Sequence, residues 1–264
     1  MKAAVAKFSI VFKTSLKNQL AEKFDFAMHL AYLPMLAIIL YYLWSIIFSS
    51  QKNTFGFSFN EIMAYVLVAV LLRRIIHNAW IASFVETEIT EGGIIAYLCR
   101  PLNYFNYLLA RRLSQTVLFS IIIIPLIAII IFSMNLQFKA LEFFLALLLT
   151  AVATAFTFTE FYCIGLLAFW LERIWGIKHA VDWVQEFLSG TLFPITFFPL
   201  IVQNALVFLP FKYLTFTPAM LFIGKASILD GLQGIAILGV WTIAFFLLGK
   251  LLWTKGLKKH DGKG

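Results

Sequence analysis

The sequence predicts an all-α integral membrane protein with six transmembrane helices, and three observations carry that prediction. Of 264 residues, 62% are apolar and 13% are charged, against about 45–50% and about 25% in soluble domains. Mean hydropathy is +0.90. Apolar stretches of about twenty residues, enough to cross about 30 Å of hydrocarbon, recur along the chain between short polar segments. A soluble domain of this length has no interior large enough for so much apolar surface. Disorder, collagen and coiled coil are excluded by the same composition.

The elements follow in order within one transmembrane domain covering 1–264. In 3–24, Val5, Phe8, Phe12, Leu16 and Leu20 share one arc, Lys7, Lys17 and Lys23 lie opposite, and Lys2 and Lys13 flank them. That pattern predicts an amphipathic helix lying in the membrane interface; the alternative is a frayed basic terminus. The first span is expected at 26–48, and it is also expected to act as the insertion signal, because Lys7, Lys13 and Lys17 interrupt any earlier apolar core. The second, 61–85, carries Arg73, Arg74 and His77 inside it. The third, 113–132, is rich in Ile and contains Pro125, and the fourth, 141–170, contains Glu160. The fifth region, 180–210, is broken by Gly190, Pro194, Pro199 and Pro210; the last span is 232–253, followed by a polar tail.

Six spans put both termini on one side. That side collects fifteen Lys and Arg residues and the other four, with Arg73 and Arg74 left inside a span. The positive-inside rule then places both termini in the cytoplasm of a multi-pass protein of the cell membrane. The net charge of +8 fits basic loops and a basic tail meeting anionic lipid, with no nucleic-acid partner. Cys99 and Cys163 form no disulfide framework, and His29, His179 and His260 stand apart without metal-ligand spacing, so no metal site is expected.

There is no G-x-x-x-x-G-K-[ST], H-E-x-x-H or G-x-S-x-G pattern. No catalytic residue is expected, and the chain reads as a transport subunit that does not itself hydrolyse ATP. Its two halves do not repeat, and only the fifth region is broken, unlike the paired broken helices of many secondary transporters. The most informative stretch follows span two. Glu86, Glu88 and Glu91 open it, Gly92-Gly93 break it, and a short apolar run ends at Leu98 before Arg100-Pro101. Acid at the start and base at the end suit a short helix. It is either an ordinary interfacial helix or a docking element for a cytoplasmic partner.

Residues 89–102, ITEGGIIAYLCRPL, resemble the first cytoplasmic loop of type-two ABC exporter permeases. Residues 168–176 (AFWLERIWG), 187–199 (FLSGTLFPITFFP) and 209–218 (LPFKYLTFTP) with Gly224 continue the resemblance, in the family's order, across most of 60–225. The resemblance implies a pair of permeases, identical or related, each engaging a separate ATP-binding subunit that carries ATP and Mg; this chain itself would bind no cofactor. It implies a coupling helix within 86–100, with Glu88, Glu91, Gly92, Leu98, Arg100 and Pro101 at matching positions. It also implies that the amphipathic Val5–Phe24 is a connecting helix and that the chain turns back after Pro199 as a re-entrant outer segment.

Arg73, Arg74 and His77 cost free energy at membrane depth unless they face a cavity, a partner helix or an acid. Glu160 is the nearest candidate counter-charge by depth, and such a pair would make Glu160→Gln destabilising. These groups either hold helices together or line a substrate path. The reading reached is the permease subunit of an ATP-driven exporter for an amphipathic or hydrophobic substrate. The first alternative is a gradient-driven transporter or channel relaying charge through Arg73, Arg74 and Glu160. A lipid-modifying membrane enzyme and a non-transporting scaffold are further rivals.

Overall fold

The computed structural model describes residues 2–21, 23–50, 56–98 and 103–261, and these are helical with no β-strand. The chain opens with α1 (Lys2–Ala21) and α2 (Lys23–Ser50), the latter containing Pro34. Next come α3 (Phe59–Ile76), α4 (Ala79–Thr90) and the short α5 (Ile94–Leu98). The long helices α6 (Tyr104–Ser133) and α7 (Ala140–Leu166) follow. Then come α8 (Trp175–Leu188), α9 (Leu200–Leu206), α10 (Phe211–Leu214), α11 (Phe216–Phe222) and α12 (Ile228–Asp261).

Helix α7 is the centre of the packing: α3, α4, α11 and α12 all lie against it, while α1 and α3 pack on α6 and α2 packs on α3. Two apolar cores result. One joins α2, α3, the C-terminal half of α6, the N-terminal half of α7 and the α9–α11 region. The other joins α4, α5, the start of α6, the end of α7 and the last turns of α12. The boundary between them falls where α3 gives way to α4.

That boundary corrects the expected second span. Residues 61–85 are not one helix: His77 and Asn78 leave helical geometry and α4 starts afresh. A helix end leaves carbonyls without intrahelical partners, and here side chains of other elements supply the donors. Asn78 Nδ2 donates to the Ile76 carbonyl (2.9 Å), to the Thr154 carbonyl (3.2 Å) and to Thr157 Oγ1 (2.6 Å). Thr157 Oγ1 donates to the Ile76 carbonyl as well (2.7 Å), and the buried Arg112 guanidinium donates to that of Ile75. A cation at a helix C-terminus also suits the helix dipole. Arg112 is therefore an interior residue of α6.

Among the described residues, three helices are long and apolar enough to cross a membrane: Tyr104–Ser133, Ala140–Phe169 and Ile228–Lys259. Leu200–Leu206 and Phe211–Phe222 add a fourth if the pair, bent by 71°, forms one span. The apolar part of α2 that meets the same composition, Pro34–Ser49, is shorter. Helix α8 starts at Trp175, five residues before the expected fifth region, and is built inside-out: Trp183 and Phe187 are exposed while Asp182 and Gln185 turn inward.

Candidate functional site

Asp182 and Glu186, one turn apart on α8, face the last turn of α3. Arg73 Nη2 lies 2.9 Å from Asp182 Oδ1 and 3.5 Å from Glu186 Oε2, and His77 Nε2 stands 3.0 Å from the same Asp182 oxygen. The spacing along both helices produces this meeting: 73 and 77 are four residues apart, as are 182 and 186, so each pair shares a helix face. These groups, with Arg74, Thr191 and α2 residues Leu36 and Leu40, border a cavity of about 300 Å³. The Arg74 guanidinium also lies 5.4 Å from the Phe119 ring centre of α6.

Glu160 is elsewhere. It is buried on α7 and accepts a hydrogen bond from Gln185 Nε2 of α8. The expected Glu160–arginine pair does not form; Asp182 takes that role. The glycine and prolines of 180–210 mask this acid in the sequence, although Lys178, Asp182, Gln185 and Glu186 recur at helical spacing.

The loop after α4 forms the second part. Glu86 Oε1 accepts from the Ile174 backbone N–H at 2.8 Å, and Lys178 Nζ donates to Ser83 Oγ at 2.7 Å. Helix α4 is thus tied twice to the elbow leading from α7 into α8. Gly165 makes the approach possible: a Cβ there would sit 2.6 Å from Val85 Cβ and 3.2 Å from Ala82 Cα. Glu88 is half-buried with its carboxylate over Gly93, and Glu91 is exposed at the end of α4. Gly92 has φ +76°, a left-handed turn that glycine adopts without steric cost, and it redirects the chain into α5. Ile94 is buried while Ile95 is exposed. Leu98 ends α5, and Arg100 and Pro101 lie outside the described residues. Beneath α4, Ile89, Thr90, the elbow residues 168–172 and Lys259 of α12 surround a groove of about 350 Å³.

The third part lies where a re-entrant segment is expected. Gly190, with φ +79°, ends α8, and its carbonyl accepts from Tyr65 Oη at 2.5 Å. Pro194 begins a short 3-10 turn and Pro199 precedes α9. Ser189, Thr191 and Thr215 form a buried chain of hydroxyls beside it.

Comparison with known families settles what these parts belong to. Residues 34–264 match the ABC-2 family transporter proteins. The chain belongs to the ABC-2 transporter family. No individual curated protein matches it. As an ABC-2 permease it is a multi-pass membrane transport subunit of an ABC transporter, a class whose partner is an ATP-binding subunit. The match takes in α3 to α12 and most of α2, hence all three parts of the site.

Proposed function

We propose that this permease is the transmembrane subunit of an ATP-driven exporter that moves an amphipathic or hydrophobic substrate out of the cytoplasm or inner leaflet. Two permeases would form the path, each with six spans: α2, the broken α3–α4 pair, α6, α7, the segment beginning with α8, and α12. The bent α9–α11 segment would be the re-entrant outer part. Both termini would be cytoplasmic, and ATP and Mg would be held by the partner subunits.

The observation that carries this reading is a continuous mechanical connection. The stretch 86–100 begins on α4, α4 is tied to the start of α8 through Glu86 and Lys178, and α8 carries the carboxylates that hold Arg73 and His77. Closure of the ATP-binding subunits against this loop would push α4 and α8 as one body. The cavity beside Arg73, Asp182 and Glu186 would then change access. Transport in one direction requires that ATP and substrate each favour one of two such states. Arg73, Arg74 and His77 at the cavity wall would meet the polar end of an amphipathic substrate, and α2 its apolar part.

Co-purification from native membranes in mild detergent tests this. A P-loop ATPase in near-stoichiometric amount, lost when Glu88 and Arg100 are both changed to alanine, is the expected result. An ATPase-free preparation, under conditions where a control ABC complex survives, would instead favour gradient-driven transport.

A further inference from the structure

Between α1 and the start of α6 lies a cleft of about 510 Å³ that the coupling reading does not use. Helix α1 lines it with Thr14, Ser15, Asn18 and Gln19, and α6 with Gln115. Arg111 forms its cationic wall. The guanidinium is held among three rings, 4.5 Å from the centre of Phe84, 5.6 Å from Trp80 and 5.8 Å from Tyr107. Among the described residues no carboxylate lies within ion-pair distance of it, and none lines the cleft. Two further polar atoms of lining residues, Trp80 Nε1 and Gln19 Oε1, are buried without a protein partner among the described residues. Gln19 is itself anchored, its Nε2 donating to Ser114 Oγ at 3.0 Å.

We infer that this cleft is a binding site for the phosphodiester of an acidic phospholipid from the cytoplasmic leaflet. A fixed guanidinium with its donors arrayed in a plane suits phosphate oxygens. The polar side chains of Thr14, Asn18 and Gln115 that line the cleft supply hydrogen-bonding groups for the rest of the headgroup. The rim carries Ile10 and Val11 of α1, with Ile10 exposed, as a surface for the glycerol and upper acyl region. Such a lipid would fasten α1 to α6 and so make the position of α1 depend on membrane composition.

The test is native mass spectrometry of the purified full-length chain titrated with phosphatidylglycerol, phosphatidylcholine or inorganic phosphate. The first phosphatidylglycerol should bind preferentially over phosphatidylcholine. Arg111→Gln should reduce that preference about fivefold, the scale of one basic residue at an anionic surface, while Arg173→Gln, an exposed cation elsewhere, should leave it unchanged. Thr14→Phe fills the cleft from an exposed position and should have the same effect as Arg111→Gln, which decides the matter if the arginine variant does not fold. Equal binding of the two lipids, or unchanged preference in the cleft variants, overturns the inference. Displacement of the lipid by equimolar inorganic phosphate would overturn the lipid source.

Discussion

At the scale of single residues, the polar groups inside this bundle sort by what they hold. Asn78, Thr157 and Arg112 satisfy the carbonyls freed where α3 ends. Without them those groups would sit in an apolar interior unbonded, at about 1–3 kcal/mol each. Asp182 and Glu160 are both inward-facing acids but have different partners. Asp182 bonds the Arg73 guanidinium, and both side chains are largely withdrawn from solvent. Glu160 bonds an amide and, among the described residues, no cation. The two conservative amide substitutions should therefore separate. Asp182→Asn should lower stability by about 1.5–3 kcal/mol, the value of a hydrogen bond to a charged group, read as a fall in melting temperature in detergent. Glu160→Gln keeps an acceptor for Gln185 and should melt close to the parent protein. A larger loss for Glu160→Gln than for Asp182→Asn would mean that Glu160 after all neutralises a cation.

At the scale of elements, the pair α4–α7 decides whether motion of the loop reaches the membrane. Their contact depends on the missing side chain at Gly165, where Val85 and Ala82 fill the space. Gly165→Leu should wedge α4 away from α7. Overpacking of this kind costs about 1–3 kcal/mol. It should also reduce co-purification of the ATP-binding subunit, because the Glu86 and Lys178 ties share that helix. Gly239→Leu on α12, where a Cβ meets nothing within 4 Å, is the matched control. Equal recovery of the ATPase in both variants would disconnect α4 from partner binding. Much at this scale was legible beforehand. The expected 26–48 and 141–170 lie close to α2 and to α7 with its extension, because a long apolar run between polar loops has one helical solution in lipid. The break at His77–Asn78 was not legible, because hydropathy averages over a window and no proline or glycine marks the site. The Arg73–Asp182 pairing was missed for another reason. Two residues 109 apart in sequence meet only through tertiary packing, and α8 looked like a fragment of a broken span until its polar stripe had a neighbour.

At the scale of the whole molecule, the distribution of charge and the central position of α7 make the proposed orientation testable with one pair of sites. Helix α7 has 27 residues, about 40 Å at 1.5 Å per residue, enough to separate its two ends by the hydrocarbon layer. Gln137 precedes it and Glu172 follows it, and both are exposed. The basic residues gather on the Glu172 side, with Arg173 and Lys178 adjacent, whereas Lys139 and Lys225 lie near Gln137. In a Cys99→Ser background, the buried Cys163 should contribute little labelling. Gln137→Cys should then react with a membrane-impermeant maleimide in intact cells, and Glu172→Cys should react only after permeabilisation. The reverse pattern would place the Glu86–Arg100 loop outside, where no cytoplasmic ATPase could reach it, and would overturn the proposed coupling together with the orientation. Labelling of both sites in intact cells would mean that α7 does not cross the membrane. Because α3, α4, α11 and α12 are all packed around that helix, such a result would invalidate the span assignment of the whole bundle.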